Sequence, residues 1–272
     1  MTLRNNYIYT AVLFAVLIFS ASNLFAQDKS NYKDNFCSNN WSWGDKVNAI
    51  DEREFTLPVR NTLEIDGKQN GGISVRGENR NDILVRACVV AWSGSKAEAQ
   101  NAVSRINISK DSVITAENTN GDSWAVSYQI LVPRNMNLKL TTNNGGISIS
   151  SVAGTMDFFT KNGGINLQDL AGNVSGRTQN GGISVKLSGS TWIGSGLNIE
   201  TKNGGVKLMM PENYAANIEA GTVNGGFKSE IDGLQIEGER KWRNNRINTS
   251  INGGGAPIRV VTTNGGIKID SF

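Results

Sequence analysis

The sequence predicts an all-β chain: a parallel β-solenoid built from Thr-x-Asn-Gly-Gly repeats, with an N-terminal cap that contains one short helix. Three observations carry this expectation. Asn-Gly-Gly occurs eight times, starting at Asn70, Asn144, Asn162, Asn180, Asn203, Asn224, Asn252 and Asn264, at intervals of 74, 18, 18, 23, 21, 28 and 12 residues. Two residues before the Asn stands Thr142, Thr160, Thr178, Thr201, Thr222 or Thr262, with Lys68 and Ser250 as the exceptions. After the glycines comes Ile73, Ile147, Ile165, Ile183, Val206, Phe227 or Ile267, and only Gly255 departs. Around these triplets apolar residues alternate with polar ones, as in Leu138, Leu140 and Thr142 before a corner and Ile147 and Ile149 after it. A period of two marks strands buried on one face.

The elements follow in chain order. Residues 1–26 read as a secretory signal peptide: Arg4 gives a basic start, Ala11 to Phe19 an apolar run, and the expected cut falls after Ala26. A retained anchor is the alternative, because Tyr7 to Ala26 is 20 residues long, and a membrane span needs about 20. Residues 27–55 form an N-terminal arm and residues 56–135 a cap with the first coils. Within the cap, Ser95 and Glu98 spell a capping box that opens a helix near 95–106, with Ala99, Ala102, Val103 and Ile106 on one side. Residues 136–272 hold the solenoid repeats, interrupted by an irregular excursion near 228–251.

The repeats assign the corners to Asn144-Gly145-Gly146, Asn162-Gly163-Gly164, Asn180-Gly181-Gly182, Asn203-Gly204-Gly205, Asn224-Gly225-Gly226 and Asn264-Gly265-Gly266. Asn tolerates a left-handed backbone and Gly favours it, so each triplet is expected to turn the chain in that conformation. An antiparallel β-meander is the alternative, since Asn-Gly between alternating strands is also a hairpin signal. Repetition of the same letters favours stacking in parallel, which sets Thr on Thr, Asn on Asn and Ile on Ile. The Asn column is then expected to form a ladder of side-chain amides. One repeat cannot bury its own apolar face, so neighbouring coils and end caps must supply the rest.

Serial Thr-x-Asn-Gly-Gly units follow an exported start, "LEIDGKQNGGISVRG", the strand "DILVRACVVAW" and the "SKAEAQ" helix, and they end in "NGGGAPIRVVTTNGGIKI". In this order the chain resembles the putative-adhesin domain family, exported bacterial domains of unknown function, over about Thr56 to Phe272. The resemblance implies a β-solenoid exported to the cell envelope, with related domains in membrane-anchored proteins linked to envelope stress. It carries over no catalytic residue. Lys68, Phe227 to Ser229 and the "INGGGAP" unit depart from the pattern and bear on the regularity of the last coils.

Composition narrows the chemistry. The chain has 272 residues, 27 Lys+Arg against 24 Asp+Glu, and no His. A near-balanced charge gives no reason to expect a nucleic-acid partner. Without His, Ser-His-Asp and Cys-His catalysis and His-based metal sites drop out. Carboxylates remain, but Asp157, Asp169 and Glu200 occupy scattered repeat positions and read as solvated outward charges. The Gly-Gly pairs open no helix and so do not form phosphate cradles. No cofactor or metal is expected. Cys37 and Cys88 are an even pair that suits a disulfide in an oxidising compartment, the alternative being two buried thiols. "ERKWRNNR" is a basic patch around an aromatic; Arg240, Lys241, Trp242, Arg243 and Arg246 could meet an anionic glycan, lipid head groups or a partner protein. Trp41 and Trp43 suit either sugar stacking or the plugging of an open coil end, and Trp92 and Trp124 the core of the cap.

The functional expectation is an exported cell-envelope β-solenoid, periplasmic, on the outer cell surface or secreted, adhesin-like and non-catalytic; the sequence names no partner, an envelope protein or a glycan being the candidates. Two alternatives stand beside it: a carboxylate-dependent β-helix enzyme acting on polysaccharides, and a membrane-anchored envelope-stress component. Membrane contact follows only if the N-terminal segment is retained.

Overall fold

The computed structural model describes residues 36–37, 45–118, 123–231, 233–234 and 243–272. Residues 1–26, expected as a signal peptide, most of the segment expected as the arm, and Trp41 and Trp43 lie outside the described residues. Val47–Pro58 (β1), Thr62–Asp66 (β2), Ile73–Glu78 (β3) and Asp82–Ser93 (β4) lead into a helix, Lys96–Arg105 (α1). Asn107–Ser109 (β5), Val113–Glu117 (β6) and Ser123–Pro133 (β7) complete the N-terminal part. Strands then come in pairs, one on each side of an Asn-Gly-Gly triplet. They are Asn137–Asn144 (β8) with Ile147–Ser150 (β9), Ala153–Asn162 (β10) with Ile165–Gln168 (β11), and Ala171–Asn180 (β12) with Ile183–Lys186 (β13). Gly196–Asn203 (β14) pairs off with Val206–Met210 (β15), and Ala216–Asn224 (β16) with Phe227–Ser229 (β17). Arg243–Ile251 (β18) precedes the last pair, Pro257–Asn264 (β19) and Ile267–Ser271 (β20).

The strands form two ten-stranded sheets. One runs β1-β4-β7-β3-β9-β11-β13-β15-β20-β17 and the other β18-β16-β19-β14-β12-β10-β8-β2-β6-β5. Each pair puts its first strand in the second sheet and its partner in the first, so the chain winds between the sheets at every corner. Within the body of both sheets neighbours are parallel and in register: Thr142 opposes Thr160, Thr160 opposes Thr178, and Thr178 opposes Thr201. The antiparallel meander is therefore wrong for the repeats. Antiparallel pairing is confined to the ends, in β1 with β4, β4 with β7, β5 with β6, and β16 with β18.

Register turns the repeated letters into columns through the core. In the second sheet Leu63, Leu138, Met156, Val174, Leu197, Ile258 and Ile218 line up; in the first, Ile73, Ile147, Ile165, Ile183, Val206, Ile267 and Phe227. Members of both columns are buried in one continuous core, against which Phe227 packs partly exposed. Each fully buried aliphatic side chain contributes about 1.5–3 kcal/mol. Gly176 breaks the second sheet's next column for a steric reason: a Cβ there would stand 1.8 Å from Cε2 of Phe158 on the adjoining coil. The Phe158 ring thus fills the space that Gly176 leaves on the adjoining coil.

The helix starts where the sequence places it. Ser95 caps it by accepting from the Glu98 backbone N–H at 3.3 Å, and Ala99, Ala102 and Val103 are buried. Residues 47–55, expected as arm, instead form a strand along β4, and Arg53 within it donates to the Ile106 and Val103 carbonyls at the end of the helix. Two further departures concern order. β4, α1, β5, β6 and β7 intervene between the coil around Asn70, β2 with β3, and the coil around Asn144, β8 with β9; those two coils nevertheless stack directly, β2 on β8 and β3 on β9. At the other end the last pair in sequence, β19 and β20, slots between β14/β15 and β16/β17. The excursion near 228–251 ends in β18, which lies antiparallel along β16 and borders the second sheet.

Candidate binding surface

The corner residues spend their polar groups on one another. From Asn144 onward each regular corner Asn carbonyl accepts from the first-glycine N–H of an adjoining coil, from Gly71 to Asn144, Gly145 to Asn162, Gly163 to Asn180, Gly181 to Asn203, Gly204 to Asn264 and Gly265 to Asn224, at 2.9–3.1 Å. The buried Thr hydroxyls donate to first-glycine carbonyls of neighbouring coils: Thr142 to Gly71, Thr160 to Gly145, Thr178 to Gly163, Thr201 to Gly181, Thr262 to Gly204 and Thr222 to Gly265, at 2.7–2.8 Å. The Asn side chains form a ladder, Nδ2 of one donating to Oδ1 of the next through Asn224, Asn264, Asn203, Asn180, Asn162, Asn144 and Asn70, at 2.7–3.1 Å.

The reason for glycine at these corners differs from the expected one. Of the corner glycines only Gly265 carries a positive φ, 156°, at the margin of extended backbone. Close approach decides instead. A Cβ on Gly145, Gly163, Gly181, Gly204, Gly265 or Gly225 would stand 1.8–2.1 Å from the carbonyl oxygen of the first glycine next door. The second glycines are freer: a Cβ on Gly146, Gly164, Gly182, Gly205 or Gly266 would lie 3.2–3.4 Å from its nearest neighbour, and on Gly226 it would meet nothing within 4 Å. The left-handed turn exists only at the irregular triplet, where Asn252, Gly253 and Gly254 have φ of 48°, 88° and 81°.

Outside the corners runs a groove of about 1150 Å³. The second glycines line it together with an outward row of the first sheet that reads Ser74, Ser148, Asn166, Ser184, Lys207, Lys268 and Lys228. Small polar residues thus give way to three lysines toward the C-terminal end. Asp270 lies beside Lys268 at 2.6 Å and Lys207 at 3.9 Å, and its carboxylate raises the Lys268 ammonium above the usual lysine range. Glu230 approaches Lys228 at 3.9 Å and Lys268 at 3.8 Å. Sequence reasoning missed this row, although the signal was printed in the repeats: "NGGVKL", "NGGFKS" and "NGGIKI" carry Lys where earlier units carry Ser or Asn.

Phe36 also lines the groove and packs with Cys37 on a small cluster of Cys88, Val90, Trp92 and Ala125. The structure joins Cys37 to Cys88, with their Cα atoms 5.3 Å apart. Trp92 therefore belongs to this outer cluster, while Trp124 packs partly exposed against the main core. The carboxylates singled out by sequence sit apart in the repeats. Asp157 and Glu200 lie on β10 and β14, two strands distant from each other, and Asp169 follows β11, accepting hydrogen bonds from Ser151 and Ser188. Among the described residues no three or more of Cys, Asp and Glu gather as a metal-holding group. Of the basic patch, Arg240, Lys241 and Trp242 lie outside the described residues, Arg243 begins β18, and Arg246 is exposed beside Glu219 at 3.3 Å. No described helix is long and apolar enough to cross a membrane.

A family model described as Toastrack DUF4097 matches residues 51–270, nearly all of the two-sheeted stack. The chain belongs to the Toastrack family. Solved structures similar to this Toastrack chain include a putative cell adhesion protein from Clostridium sporogenes, 13% identical, covering 82% of this chain and 100% of that one at a TM-score of 0.46. A putative adhesin from Bacteroides fragilis is 10% identical over 82% of this chain and 97% of its own, at a TM-score of 0.39. A putative lipid binding protein from Parabacteroides distasonis is 10% identical over 82% and 96%, at 0.28. No curated protein matches the chain significantly.

Proposed function

We propose that the protein is exported to the cell envelope and serves there as a non-catalytic, adhesin-like scaffold with parallel β-solenoid form, its outward rows presenting a binding surface to an envelope protein or glycan. One observation carries the reading: at every regular corner the Thr, Asn and Gly polar groups are engaged between coils, so the repeated residues serve cohesion and only the outward rows are free to vary. The near-balanced charge favours a partner read by shape and hydrogen bonds over a strongly charged polymer.

The test follows the natural chain in its own cell. Fractionation should place the protein in the envelope or medium with a mature N-terminus at Gln27, and the purified chain should bind envelope material while leaving acidic and neutral polysaccharides uncut. A cytoplasmic protein with Met1 intact would overturn the export reading. Polysaccharide turnover abolished by Asp157→Asn or Glu200→Gln would overturn the scaffold reading.

A further inference from the structure

Every Asn-Gly-Gly triplet carries a chemical hazard, because glycine leaves its own backbone nitrogen unobstructed beside the Asn side chain. That nitrogen can attack the side-chain Cγ. The new N–Cγ bond closes a succinimide ring, the Cγ–Nδ2 bond breaks, and Nδ2 departs as ammonia with the proton of the glycine N–H. Water then opens the ring at either carbonyl and leaves aspartate or isoaspartate. Water is the sole co-reactant, and the chain offers the dipeptide in all eight triplets.

Six triplets hold both reacting groups in bonds between coils. The nitrogens of Gly71, Gly145, Gly163, Gly181, Gly204 and Gly265 donate to Asn backbone carbonyls next door at 2.9–3.1 Å. In the same six triplets the Asn side-chain carbonyl is engaged as well. Oδ1 of Asn70, Asn144, Asn162, Asn180, Asn203 and Asn264 each accepts from the Nδ2 of a neighbouring coil's Asn at 2.7–3.1 Å. Nucleophile and electrophile meet there only if two coils part.

Two triplets differ. Asn224 ends the ladder: its Nδ2 donates to Asn264 at 2.8 Å, but neither its Oδ1 nor the Gly225 N–H has a hydrogen-bond partner among the described residues. Asn252 lies outside the ladder, exposed together with Gly253. The Gly254 N–H closes the turn on the Ile251 carbonyl at 2.9 Å, and the Gly253 N–H has no partner among the described residues. The space around Gly253 is open, since a Cβ there would meet nothing within 4 Å. Two bonds hold the Asn252 side chain, from Nδ2 to the carbonyls of Tyr214 at 3.0 Å and Glu212 at 3.2 Å. Both engage the departing nitrogen and leave Oδ1 and the attacking nitrogen unheld. Opening one exposed turn therefore suffices, and local opening costs far less than separating packed coils.

We propose that Asn252 is a site of spontaneous deamidation in the folded protein, and that the stacking of the coils shields the six engaged Asn-Gly bonds from the same reaction. Asn224, with one group held and two free, ranks between them. At Asn252 the product replaces the amide donor with a carboxylate, so the turn loses both ties to the segment before β16. The inference goes beyond the scaffold reading and needs no ligand.

Peptide mapping by mass spectrometry tests it, on the purified chain aged in mildly alkaline buffer both folded and unfolded in guanidinium. Unfolded, the eight sites should react at comparable rates. Folded, Asn252 should react about tenfold faster than Asn70, Asn144, Asn162, Asn180, Asn203 or Asn264, with isoaspartate among its products. Gly253→Ala sets a methyl group beside the attacking nitrogen and should slow the reaction at Asn252 severalfold while the other sites keep their rates. A further Asn-Gly at Asn120 lies outside the described residues and does not enter the comparison. Three results would overturn the proposal: ladder sites reacting as fast as Asn252 in the folded chain, an intact Asn252 there when the unfolded chain reacts, or a rate at Asn252 unmoved by Gly253→Ala.

Discussion

Asn162-Gly163-Gly164 and Asn252-Gly253-Gly254 share the same three letters and are built for different reasons. At the first, the chain crosses from one sheet to the other without a left-handed residue, and glycine is required because the next coil's backbone lies where a Cβ would go. At the second, all three residues are left-handed, and a Cβ on Gly253 would meet nothing within 4 Å. The corner is a packing device shared between coils; the turn is a local device that reverses the chain between β18 and β19. Identical sequence thus answers to a neighbour in one place and to its own dihedral angles in the other.

That contrast can be broken by substitution. Gly163→Ala should show the largest effect, because its Cβ would sit 2.0 Å from the Gly145 carbonyl oxygen and backbone on both sides cannot yield. A loss of about 3 kcal/mol is expected, read as a fall in melting temperature of roughly 6–12 °C. Gly164→Ala, at 3.3 Å, should cost far less. Thr178→Val comes next. It keeps the volume but deprives the Gly163 carbonyl of a buried donor, for about 1–3 kcal/mol in denaturant unfolding. Gly253→Ala should cost about 1 kcal/mol through φ alone, and Gly253→Asn should cost less still, since Asn visits the left-handed region readily. Gly163→Asn should be as damaging as Gly163→Ala. Equal melting temperatures for Gly163→Asn and Gly253→Asn would mean that both triplets are ordinary turns.

The columns explain how much could be read from the sequence. Inward positions such as Leu140, Ile147 and Ile165 and the Thr and Asn rows were legible because each coil repeats them in register, so the same physics writes the same letter. The purpose of the glycines was misread: Asn-Gly signals a left-handed turn in an isolated strand pair, and the competing cause, a backbone next door, is invisible without the stack. Coil order was illegible for a related reason. When all coils carry Thr, Asn, Gly and an aliphatic at the same places, β14 offers β16 and β19 equivalent columns, and only the path of the connections chooses between them. The outward lysines at 207, 228 and 268 share one repeat position, but that they stand side by side emerges only once β20 is placed between β15 and β17.

That placement is also the sharpest handle on the in-register stack. Adjoining strands lie about 4.8 Å apart, within reach of a disulfide, whereas coils two steps apart lie at roughly twice that distance, beyond the about 7 Å limit. Asn203 adjoins Asn264 and not Asn224, although Asn224 follows it in sequence. A chain carrying Asn203→Cys with Asn264→Cys should therefore crosslink on mild oxidation, and one carrying Asn203→Cys with Asn224→Cys should stay open, as seen by mass spectrometry of the peptides. Crosslinking of the 203–224 pair with the 203–264 pair left reduced would contradict the stacking order and the columns drawn through it.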